Sequence, residues 1–89
     1  MIVVGSCKRM NIREAKDSFE SGELFEADVQ RSPENKLLWF LIFRDRQAKH
    51  FMLIGNDAAV ETYASIDAAA DVARHIGFKY LNVKLWLPD

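Results

Sequence analysis

Leu37-Leu38-Trp39-Phe40-Leu41-Ile42-Phe43 is an unbroken apolar run of seven residues between Lys36 and Arg44. A strand turns successive side chains to opposite faces. Leu37, Trp39, Leu41 and Phe43 then point one way, and Leu38, Phe40 and Ile42 the other. Both sides are apolar, so the spacing predicts a central strand covered on each face. The run is short for a buried helix and ends at turn-forming residues on both sides, which decides for strand over helix.

Working outward, Arg31-Ser32-Pro33-Glu34-Asn35 reads as a turn, with Pro33 and Asn35 supplying its chemistry. Before it, Leu24 to Gln30 alternates. Phe25, Ala27 and Val29 make an apolar face, and Glu26, Asp28 and Gln30 a wet one. After the central strand, Arg44 to Lys49 is a polar hairpin tip. His50 to Ile54 is the next strand, with Phe51 and Leu53 on one face and Met52 and Ile54 on the other. Gly55-Asn56-Asp57 signals a turn. Val60 to Ala64 offers a short further strand.

Helices flank this block. Asn11 is an N-cap and Glu14, three residues on, completes a capping box for a helix reaching Glu20. Ile12, Ala15 and Phe19 form its apolar stripe, and Gly22 can end it. Ser65 caps a second helix whose Ile66, Ala69, Ala73 and Ile76 share a face. Gly77 stands at its C′ position, with Phe78 placed to fold back onto the last turn. Lys79 to Leu87 alternates again and reads as a final strand. Strands joined by short polar turns form antiparallel hairpins, and both helices must bury their stripes on the sheet. The expected fold is therefore α+β and two-layer. It has a mainly antiparallel sheet of about four to five strands, two helices on one face and the order α-β-β-β-(β)-α-β. Residues 1–9 read as a loosely held N-terminal extension and residues 10–89 as a single domain.

The 89 residues suffice for one domain. Twelve basic residues against thirteen acidic ones leave a net charge of -1, which argues against a general nucleic-acid coat protein and against an acidic mimic of DNA. Cys7 is the single cysteine, so no internal disulfide forms and a reducing cytoplasm is the expected compartment. Met1 to Gly5 is too short and weakly apolar for a signal peptide. No apolar run approaches the roughly 18 residues of a membrane span.

Few residues suggest chemistry. Asp67, Asp71 and His75 share the exposed side of the second helix at the four-residue spacing that can aim ligands at a metal. No second cluster of ligands accompanies them, so they read as a solvated face with ordinary helix pairing. His50 could serve as a general base but reads as a strand-end residue. No obvious nucleophile pair is present: Cys7 lies in the loosely held extension, and no serine sits in an elbow motif. Gly5, Gly22, Gly55 and Gly77 are scattered, without a phosphate loop. No catalytic residue, metal ligand or cofactor is therefore expected. Arg44, Arg46 and Lys49 make a positive hairpin tip that can hold phosphate, or that simply keeps an apolar hairpin soluble.

The helix–strand–strand–strand–helix order from Asn11 to Ile76 resembles the topology of double-stranded-RNA-binding domains. In that family the second helix opens with phosphate-gripping lysines. Ser65 to Asp71 holds none and carries two acids, a departure that counts against RNA binding. A second stretch, Thr62 to Ala70 ending at His75-Ile76-Gly77-Phe78, is similar to a pattern in small uncharacterised proteins of bacterial plasmids and other mobile elements. That resemblance implies a small bacterial accessory protein and assigns no site.

Two helices cover one sheet face, so the other is left with Leu38, Phe40 and Ile42 at its centre and Tyr80 and Trp86 on the last strand. A contiguous apolar patch of this kind calls for a partner. The expected function is a small non-enzymatic binding or adaptor module, homodimeric through Leu38, Phe40, Ile42, Tyr80 and Trp86. The alternatives are a nucleic-acid accessory protein gripping phosphate with Arg44, Arg46 and Lys49, and a binder of a small apolar ligand on the same face.

Overall fold

A computed structural model describes residues 7–85. The central run becomes β3, Trp39–Asp45, and the two hairpins expected around it form as antiparallel ladders with β2, Leu24–Arg31, and β4, His50–Leu53. Trp39, Leu41 and Phe43 join one buried cluster, and Phe40 and Ile42 another, as the alternation of the run predicts. Leu37 lies outside the strand and is exposed. The preceding turn claims its backbone instead: the Leu37 N–H donates to Asn35 Oδ1 and the Leu38 N–H to the Asn35 carbonyl.

The sheet is mixed, with two antiparallel ladders at its centre and a parallel one on either side, and its order is β1-β4-β3-β2-β5. Two outer strands cause this. β1, Lys8–Met10, precedes the first helix and pairs parallel to β4. β5, Asn82–Lys84, pairs parallel to β2. β3 alone runs against the other four. A parallel pair cannot be joined by a tight turn and needs a crossover. Here α1, Ile12–Glu20, leads from β1 to β2, and α2, Ile66–Ile76, leads from β4 to β5. The observed order is β-α-β-β-β-α-β. Lys8 and Arg9, expected in a loose extension, are therefore strand residues, whereas residues 1–6 lie outside the described part. Val60 to Ala64 is not a strand; it makes only two isolated bridges, Ile54 with Val60 and Trp39 with Tyr63. The final strand is three residues long, much shorter than Lys79 to Leu87, and residues 86–89 fall outside the description.

Both helix starts form as their sequences dictate. Asn11 Oδ1 accepts from the Glu14 N–H at 2.8 Å while Glu14 Oε1 accepts from the Asn11 N–H at 3.0 Å, a complete capping box. Ser65 Oγ accepts from the Ala68 N–H at 3.1 Å. Ala15 from α1 and Ala69, Ala73 and Ile76 from α2 are buried in one cluster with Ala27, Val29, Leu41 and Phe43. The alanines let helix backbone come close to the sheet. α2 ends at Gly77, whose φ of 131° is open to glycine and strained for other residues. Phe78 then folds inward, stacking on Phe43 at 5.6 Å and meeting Phe19 edge-on at 4.7 Å.

Phe25 departs from the expected apolar face. The β2–β3 register shifts between Leu24 and Glu26, and such a bulge re-aims the residue inside it. Leu24 is buried in the core, and Phe25 is 48% exposed. Its ring lies 5.1 Å from the Arg44 guanidinium, a cation–π contact in place of core packing.

Candidate binding surfaces

Cross-strand partners share a face of a sheet, so the register lays out the side away from the helices. Its centre is Phe40, Ile42 and Met52, with Gln30, Asp28 and Glu26 beside them on β2, Asn82 and Lys84 on β5, Arg44 and His50 at one end, and Arg9 on β1. Phe40 and Ile42 are already buried within one chain, at 2% and 1% exposure. Cys7 and Val60 pack against this cluster, and burial pushes the Cys7 thiol pKa up. Beside the cluster a cavity of about 250 Å³ opens, bounded by Phe40, Met52, Val60, Pro33, Ser32 and Thr62. Of the five side chains expected to meet a partner, Leu38 is half-buried, Tyr80 is 87% exposed and Trp86 lies outside the described residues. A rigid partner on this side would meet the rim and not Phe40 or Ile42.

The rim toward β5 is polar and connected. Asn82 Nδ2 donates to Glu26 Oε1 at 2.8 Å and to Asp28 Oδ1 at 2.9 Å. Glu26 also pairs with Arg44. Arg44 is thus held by a carboxylate on its own sheet. Arg46 is engaged differently: its Nε donates to the Gly22 carbonyl at 2.7 Å and its backbone N–H to the Glu23 carbonyl, tying the hairpin tip to the turn after α1. Lys49 is exposed. A phosphate at this tip would compete with Glu26 for Arg44 and with the Gly22 carbonyl for Arg46. His50 is half-buried at the start of β4 opposite Arg44. On α2, Asp71 accepts from Arg74 at 2.6 Å, an exposed pair within the helix.

A second cavity of about 250 Å³ lies between the start of α1, the end of β4 and α2, lined by Ile12, Leu53, Gly55, Glu61, Tyr63 and Val72. The Tyr63 hydroxyl is buried with no hydrogen-bond partner. Burial, and after it the Glu61 charge, push its pKa from 10.0 up to about 12.

The outer side of β5 is different again. β5 is the last strand of the sheet among the described residues. Val83 is 42% exposed and Leu85 69% exposed, and Tyr80 stands just before the strand. The opposite edge, β1, carries exposed Lys8 and Arg9, the kind of charge that keeps an edge from pairing.

Sequence reasoning missed the Arg44–Glu26–Asn82–Asp28 network and the exposed edge. The acids were visible as the wet face of β2, but their link to Asn82 depends on β5 lying parallel to β2. A helix between two strands is the signal for that parallel crossover. No family model matches the chain, and neither a curated protein nor a solved structure is significantly similar to it.

Proposed function

We propose that this protein is a small non-enzymatic binding module that works as a homodimer. The observation that carries the reading is the apolar, exposed margin of the sheet at Tyr80, Val83 and Leu85, alongside the outermost strand among the described residues. An unpaired strand edge offers a row of backbone donors and acceptors, and apolar side chains beside it make pairing with another chain favourable. The similarity of Thr62 to Ala70 to small proteins of bacterial plasmids and mobile elements supports an accessory role in a bacterium. The single cysteine fits a reducing cytoplasm.

The test is the mass in solution. Light scattering at micromolar concentration should give twice the chain mass of 10.2 kDa. A mass of one chain across that range overturns the homodimer.

A further inference from the structure

We infer that two copies of this chain join β5 to β5 in an antiparallel pair, continuing the sheet across a two-fold axis that passes beside Val83. The inference rests on the homodimer reading and specifies its contact.

Identical strands related by a two-fold axis perpendicular to the sheet run antiparallel, and the interface is self-complementary. Residues opposite each other must share a face, so only same-parity registers are available. Three of them overlap the strand. Centring on Lys84 sets one ammonium against its own copy, which is repulsive. Centring on Asn82 sets Lys84 opposite Tyr80, outside the strand. Centring on Val83 pairs all of Asn82–Lys84 and sets each Lys84 opposite the other copy's Asn82.

The polar chemistry favours this last register. Asn82 spends its amide N–H groups on Glu26 and Asp28, which leaves Oδ1 as an acceptor directed away from them. Lys84 makes no ion pair among the described residues. In the paired edge its ammonium would stand against that oxygen, in line with Asp28, whose carboxylate has no cation beside it among the described residues. Arg44 already neutralises Glu26. Each copy thus offers a lysine that lacks an anion and a carboxylate that lacks a cation, and the two-fold axis brings both pairs together.

The apolar side agrees. Val83 pairs with Val29 on the helix-covered face, and Leu81 packs on the core of that face. In the Val83 register, continuing the alternation sets Leu85 opposite the other copy's Leu81, and Val83 meets its own copy. Val83 and Leu85, exposed in the single chain, are then covered. Pairing through β1 in the equivalent register, the one that pairs all of Lys8–Met10, would instead set Arg9 against Arg9, which favours β5 as the edge that joins.

Disulfide trapping tests the register. In a Cys7→Ala background, Val83→Cys should link rapidly to its copy under mild oxidation, because opposed residues stand about 4.5–5.5 Å apart between Cα atoms. Leu85→Cys should not link, since its copy lies roughly 13 Å away along the pair, beyond the ~7 Å limit for a disulfide. Lys84→Glu should raise the dimer dissociation constant at least about tenfold. Val83→Asn, at an already half-exposed site, provides a folded variant with the same expected loss. If the parent is a dimer but Val83→Cys stays unlinked, or Leu85→Cys links as fast, the β5 pairing is wrong and the homodimer stands. If the parent is a monomer, both fall.

Discussion

Gly77→Ala should destabilise the fold by about 2–5 kcal/mol. Two costs combine. At a φ of 131° a Cβ is strained, a cost of about 1–2 kcal/mol for a left-handed backbone. The new Cβ would also stand 2.5 Å from Cε1 and 2.6 Å from Cδ1 of Phe19, so the ring must move. Moving it off its rotamer costs about 0.5–1.5 kcal/mol, and weakening its edge contact with Phe78 costs a similar amount. For a domain of this size the melting temperature should fall by about 8–40 °C. Gly22→Ala is the control. Gly22 has a φ of 82° with nothing within 4 Å of the built Cβ, so only the backbone strain of about 1–2 kcal/mol applies. Urea unfolding of both variants, and of Phe19→Ala with and without Gly77→Ala, separates the terms. If the ring is the obstacle, the double variant should lose about 1 kcal/mol less than the sum of the singles. Equal losses for Gly22→Ala and Gly77→Ala, together with strict additivity, would refute the steric argument.

Two further outcomes follow from burial. Phe40→Glu should unfold the chain, since truncating a buried Phe costs about 3–5 kcal/mol and an unpaired buried carboxylate adds to it; a folded variant by circular dichroism would show that the second sheet face can open. Tyr63→Phe should be neutral or stabilising by up to about 1 kcal/mol, because the hydroxyl it removes is buried without a partner. With the Tyr63 pKa near 12 folded and about 10 unfolded, its contribution is whole below pH 10 and is lost as pH rises toward 12. The alkaline fall in stability should be shallower in Tyr63→Phe, and identical profiles would count against the assignment.

The central strand and both helices were legible because local rules decide them. Trp39 to Phe43 is apolar on both faces, Asn11 with Glu14 forms a reciprocal cap, and Ser65 and Gly77 bracket α2. The outer strands were harder to place. β1 and β5 are three residues each, too short for a period of two to stand out. Their partners are distant in sequence, with Lys8 against Phe51 and Asn82 against Asp28, so no local signal fixes the pairing. Phe25 followed the alternation and still left the core, because a bulge is a property of two strands together. Tyr80, expected by alternation on the same apolar face as Phe40 and Ile42, stands exposed just before β5, whereas Phe40 and Ile42 needed the packing of Val60 and Cys7 to appear as covered. The basic tip was read from charge alone. Its arginines are held by Glu26 and by the Gly22 carbonyl, contacts made between segments rather than within one.

The reversed direction of β3 bears on the order in which the chain assembles. β2, β3 and β4 are consecutive and joined by short turns, so their ladders close small loops at little entropic cost. β1 and β5 can dock only after a helix has carried the chain across the sheet, and they close far longer loops. The meander from Leu24 to Leu53 is thus the natural folding nucleus, and the two parallel ladders are the late and weakest ones. Amide protons there should exchange first in the native protein. Each opening of β5 uncovers the edge of β2, so that margin is where misassembly would begin.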